Sequence, residues 1–149
     1  MSALRTVYRY WMSILAAAVV VQIGFAGYGA FYSANKLADN TTINEETFDD
    51  GWGLHLGFGY LIFLVALIAL ILALLARPGK RTVLMTVGAL VLVIVQIVLA
   101  WIGEEVPAVG ALHPINAFII LGLVGTLAGG QWRAKKMGMG SAPAMPPPA

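Results

Sequence analysis

The sequence predicts an all-α integral membrane protein, a four-transmembrane-helix up-down-up-down bundle built from two similar hairpins. Three observations predict it. First, 60% of the 149 residues are hydrophobic and 11% are charged, a balance whose apolar surface a soluble domain of this size cannot cover. Second, four runs, at 11–32, 53–76, 83–103 and 111–130, contain no Asp, Glu, Lys or Arg. Each holds about 20 residues or slightly more, enough to cross ~30 Å of hydrocarbon as a helix. Only helices satisfy their own backbone in lipid without closing into a barrel. Third, charge is segregated along the chain, which fixes an orientation.

The basic residues Arg5 and Arg9 precede the first run. Arg77, Lys80 and Arg81 join the second to the third, and Arg133, Lys135 and Lys136 follow the fourth. Eight of nine basic residues therefore fall on one side, and all seven acids fall on the other: Asp39, Glu45, Glu46, Asp49, Asp50, Glu104 and Glu105. By the positive-inside rule both termini are expected in the cytoplasm of a bacterial plasma membrane, with the acidic loops external. Tyr8, Tyr10, Trp11 and Trp132 are expected to mark the inner interface, and Tyr28, Tyr32, Trp52 and Trp101 the outer one. The net charge of +2 is thus an insertion signal and does not point to nucleic acid. The sequence contains no cysteine, which excludes disulfides, Cys-ligated zinc and iron–sulfur clusters.

Taken in order, the elements are helices at about 10–32, 53–76, 82–103 and 111–131, within one transmembrane domain over 1–136. Helix one is too long for a typical signal-peptide core and reads as a retained span. A long acidic loop, 33–52, leads to helix two. The segment Arg77-Pro-Gly-Lys-Arg-Thr82 reads as a tight turn, because Pro and Gly stop one helix before the next begins. A short external connection, 104–110, precedes helix four, and Pro114 stands where that helix starts, which spares a ladder bond. Short connections make successive helices antiparallel neighbours. The tail at 137–149, rich in Gly, Ala, Met and Pro, reads as disordered and cytoplasmic.

The two hairpins look duplicated. VVVQIGFAGYG at 19–29 aligns with VIVQIVLAWIG at 93–103, with six of eleven positions identical. Gln22 matches Gln96, and the runs that follow both open with Leu-His, at Leu54-His55 and Leu112-His113. These are the only two histidines in the chain. Each lies two residues into its apolar run, so both sit at one depth, about one turn inside the outer interface. An approximate two-fold axis would set them facing each other across the bundle.

Ionisable residues inside a membrane are functional candidates by default. Gly51 and Gly59 lie four residues either side of His55 and share its helical face, which would clear a strip for a flat macrocycle. Around His113 the neighbours Val109, Gly110, Asn116 and Ala117 are small or polar. Zinc and copper sites usually recruit three or four side-chain ligands, which would need Glu104 or Glu105 to fold onto His113. Two imidazoles from facing helices suit a six-coordinate haem iron, whose porphyrin supplies four nitrogens. The expected site is therefore His55 and His113 as metal ligands, with Gly51, Gly59, Gln22, Gln96 and Asn116 around the cofactor. Three plainer uses stay open: histidines bonded to carbonyls or interface water at helix ends, glycines as helix packing, and glutamines as interhelical bonds.

A four-helix unit with one His near the outer end of its second helix and one at the start of its fourth resembles half of a haem A synthase. The likeness covers roughly residues 10–133 and rests on Leu54-His55, Leu112-His113 and the helix spacing. It implies that His55 and His113 are axial ligands of a b-type haem. The synthase's external cysteine pair is missing, and Asp49 and Asp50 are the nearest residues to its outer-loop glutamate. Haem binding is thus the better-supported implication than oxygenation. Two axial histidines leave iron no open position, which favours electron transfer. The expectation is a cytochrome b-like protein with haem b, as a carrier or as a small subunit or accessory factor of a respiratory assembly. Its expected partners are lipid, a larger complex or a second copy, and a candidate quinone. The alternatives are a half-length haem-modifying enzyme acting as a homo-oligomer, and a cofactor-free accessory subunit or assembly factor.

Overall fold

A computed structural model describes residues 2–140. All regular structure among them is helical: α1 Ser2–Ala38, α2 Glu45–Ala76, α3 Lys80–Glu105, the single-turn α4 Pro107–Gly110, and α5 Leu112–Gly140. Four of these are long and apolar enough to cross a membrane, as a multi-pass membrane protein requires. Large apolar side chains such as Ile14, Phe31, Leu64, Ile94 and Phe118 are exposed around the outside, where lipid would cover them.

The helices run past the apolar segments at several ends. α2 begins at Glu45, not near residue 53, because Asn44 caps it. The Asn44 side chain accepts hydrogen bonds from the Thr47 backbone N–H and from its hydroxyl, both at 2.8 Å, satisfying donors that a helix start leaves orphaned. Most of the expected acidic loop is thereby helical, and only a short link between α1 and α2 remains. The tail also departs from expectation, since α5 continues to Gly140; residues 141–149 lie outside the described residues. The α2–α3 turn takes its shape from Arg77 in the left-handed region (φ 47°) and Gly79 at φ 125°. Glycine reaches the second conformation without Cβ strain.

Around the bundle the order is α1, α2, α3, α5, with α5 returning to α1. α1 and α3 occupy one diagonal, and α2 and α5 the other. Burial follows the sequence duplication. Met12, Leu15 and Val19 of α1 are buried, and so are Thr86, Ala89 and Val93, their counterparts in α3. Ile62, Ala66 and Ala69 of α2 match buried Ile120, Val124 and Leu127 of α5. Every one of these pairs keeps the offset set by Val19–Val93 or by His55–His113. A rotation that exchanges α1 with α3 and α2 with α5 therefore preserves both neighbours and core.

The core lies toward the basic end, where Tyr8 is fully buried and its hydroxyl shares a 2.7 Å hydrogen bond with Thr86 Oγ1. Tyr8 thus belongs to the core and not to the interfacial belt that the sequence suggested. Below it, Arg5 donates to the carbonyls of Ala76 and Arg77 at the end of α2, which have no partner within the helix. Toward the histidine end the buried series stops at Val19, Ile62, Val93 and Asn116; beyond it, Gly29 and Gly51 are the buried residues among those described.

Candidate functional site

The layer just above the core contains Gln22 on α1, His55 on α2, Gln96 on α3 and His113 on α5. Each histidine is tied to its own hairpin by its Nδ1. His55 Nδ1 lies 3.2 Å from the Gln22 carbonyl oxygen, and His113 Nδ1 lies 3.0 Å from the Gln96 carbonyl oxygen. A carbonyl only accepts, so Nδ1 must carry the proton in both rings. In the neutral imidazole this leaves the lone pair on Nε2. Metal-binding histidines are commonly oriented in this way, with the other ring nitrogen donating to a carbonyl.

Across the α2–α5 diagonal the imidazoles face each other, with ring centroids 6.0 Å apart and planes 60° from parallel. Both are half-buried. The Trp52 indole stands edge-on to His55 at 5.8 Å. Its Nε1 donates to Ser33 Oγ at 3.1 Å, so it closes one side of the layer rather than lying in an outer belt.

Glutamine side chains serve interhelical bonds here. Gln22 Nε2 donates to the His55 carbonyl at 2.7 Å, so the pair is joined in both directions. Gln22 Oε1 is buried without a partner. In the second hairpin Gln96 Oε1 accepts from Asn116 Nδ2 at 2.7 Å, and the same nitrogen donates to the Leu92 carbonyl at 2.9 Å. Asn116, 6% exposed, therefore bridges α5 to α3 one turn from His113.

The glycines divide by role. A Cβ on Gly51 would lie 2.8 Å from the Tyr32 ring; that strip is filled by α1, and the small residue serves helix packing. At Gly59 a Cβ would approach only the Gln22 amide nitrogen, at 3.2 Å. Two close approaches that sequence reading missed occupy equivalent places. Gly29 receives the Trp52 ring, where a Cβ would meet three ring atoms at 2.6–2.9 Å, and Gly103 receives the backbone of Gly110, whose Cα would be 2.7 Å away. The identical glycines ending the aligned segments were the available signal.

Among the described residues no three of His, Cys, Asp and Glu gather at a common point. The protein can therefore offer a cofactor two imidazoles, with the remaining positions to be filled by the cofactor itself.

Fold and site together define a duplicated four-helix membrane bundle with a diagonal histidine pair. The chain belongs to DUF6220, a family of unknown function, whose match covers residues 22–103 and so more than half of the chain. That stretch runs from Gln22 to Gly103 and includes His55, while His113 follows it. No curated protein and no solved structure matches the chain.

Proposed function

We propose that this protein is a membrane-embedded b-type cytochrome-like protein that holds one haem b between His55 and His113. It would serve electron transfer, as a carrier or as a small haem-bearing subunit of a respiratory assembly. In this reading the helices run up-down-up-down in a bacterial plasma membrane with both termini cytoplasmic, and the histidine layer lies near the external face. The likeness to half of a haem A synthase is kept for haem binding alone.

The observation that carries the proposal is the tied and facing imidazole pair. A metal–imidazole bond is about 2 Å long, and the ring centre lies roughly 1 Å beyond the nitrogen. Two rings sharing one metal therefore have centres about 6 Å apart, and the observed separation is 6.0 Å. Both Nδ1 atoms are already occupied by carbonyls, so both Nε2 lone pairs are available. The flanking strips are small: half-buried Ala26 and buried Gly29 on α1, half-buried Ala100 and Gly103 on α3. When bound, a haem with two imidazole ligands supplies one-electron chemistry. The chain would hold and orient it: the Gln22 and Gln96 carbonyls fix the rings, Asn116 fixes Gln96, and Trp52 walls the site.

Protein purified in mild detergent from haem-replete cells is expected to carry about one haem per chain. Its Soret band should sharpen and shift on dithionite reduction, and carbon monoxide should barely perturb the reduced spectrum. A colourless, folded preparation rules out the haem and leaves a cofactor-free subunit. Rapid and complete carbon monoxide binding means an exchangeable axial position and points to the enzyme alternative.

A further inference from the structure

Arg9, at the opposite end of the bundle, raises a separate question. Its side chain is only 8% exposed. The guanidinium carbon lies 4.7 Å from the centroid of the Trp132 ring and 5.4 Å from that of Tyr10. Those two rings stand edge to face at 5.3 Å, and Trp132 Nε1 is held by Ser13 Oγ at 3.0 Å. The aromatic corner is therefore built and not incidental.

What the corner lacks is an acceptor. A guanidinium carries five N–H donors and stays charged at any physiological pH. Among the described residues, Arg9 Nε is buried with no hydrogen-bond partner, and the side chain forms no salt bridge. No carboxylate is in reach along the sequence either, because all seven acids lie between Asp39 and Asp50 or at Glu104 and Glu105. Arg5 has spent its guanidinium on the Ala76 and Arg77 carbonyls; Arg9 has no such outlet. Cation–π contacts offset a part of the desolvation of a charge, but buried charges are as a rule paired.

We infer that the Arg9–Tyr10–Trp132 corner is a binding site for a phosphate monoanion, supplied by the headgroup of an anionic phospholipid. Phosphate matches the planar guanidinium fork. The lipid source follows from position, since Tyr10 and Trp132 stand at the end of the apolar spans where headgroups lie. The inference is independent of the histidine site.

The test uses full-length protein in bilayers of phosphatidylcholine with either brominated phosphatidylglycerol or brominated phosphatidylcholine as quencher. Subtracting the emission of a Trp132→Phe variant isolates Trp132. Phosphatidylglycerol should quench it with about fivefold higher apparent affinity, the scale of one basic side chain meeting an anionic headgroup. Arg9→Gln should abolish the preference, and Arg133→Gln, a charge loss at an exposed position of the same end, should keep most of it. An unchanged preference in Arg9→Gln overturns the site. Competition by inorganic phosphate in pure phosphatidylcholine overturns the lipid source. If Arg9→Gln does not fold, native mass spectrometry of the unaltered protein decides: one retained anionic phospholipid per chain supports the inference, and retention no greater than that of phosphatidylcholine overturns it.

Discussion

The first hairpin, α1 with α2, and the second, α3 with α5, share a buried register and a tie from histidine Nδ1 to a glutamine carbonyl. They differ in everything around that tie. In the first, the glutamine amide reaches back to the backbone of its own histidine, and a large indole fills the glycine notch at Gly29. In the second, the amide is held by Asn116, and the notch at Gly103 is closed by backbone against backbone. Two copies drifting apart keep what both still need. Here that is the imidazole orientation, so the shared element marks the site and the divergent elements are local solutions to packing.

The strongest test of this equivalence removes one histidine at a time. His55→Ala and His113→Ala should each lose the low-spin, six-coordinate haem spectrum and lower haem retention by at least tenfold, as for loss of a supporting group at a metal or more. Loss from one variant with none from the other would break the diagonal pair and require a different second ligand.

The glycine notches should respond unequally. In Gly103→Ala the new methyl meets the Gly110 Cα, and two backbones must part, at a cost of about 1–3 kcal/mol. Gly29→Ala meets only the Trp52 side chain, which can swing, so its loss of stability in detergent unfolding should be smaller and accompanied by changed indole emission. An equal or larger loss in Gly29→Ala refutes the distinction.

Smaller effects are expected at the amides. Asn116→Leu removes two hydrogen bonds and strands Gln96 Oε1, so about 1 kcal/mol should be lost, at roughly 0.6 kcal/mol per interhelical bond in a membrane. Gln22→Leu removes one such bond and should cost about half as much. The reverse order would mean that the first hairpin is the more tightly held. Smallest of all is Gly53→Leu, where a Cβ would meet nothing within 4 Å. Stability should stay within about 0.5 kcal/mol, and a larger change would place Gly53 in an interface that the monomer does not display.

The four spans could be read from the sequence because lipid excludes charge, and the runs free of Asp, Glu, Lys and Arg follow from that. Their ends could not, because a helix stops where its caps stop it and not where hydrocarbon ends. Asn44 extends α2 well before Gly53, and α1 continues to Ala38. The pairing of His55 with His113 was legible through the duplication, which converts a long-range contact into a local comparison of two segments. Tyr8 with Thr86 and Arg9 with Trp132 had no such second copy to signal them. Gly51 looked like cleared space from its spacing alone, and only the position of Tyr32 shows that the space is taken.

The two links across the bundle lie on different diagonals. Tyr8 and Thr86 brace α1 to α3 at the basic end, while at the other end His55 and His113 meet across α2 and α5 with no direct hydrogen bond between them. A four-cornered frame braced along one diagonal resists shear in that plane and stays free to lengthen along the other. The histidine end can therefore spread and close like the mouth of a clothes-peg, pivoting on the tyrosine–threonine brace. A planar guest could be admitted between the imidazoles without taking the bundle apart, and once gripped it would supply the cross-member that the empty frame lacks.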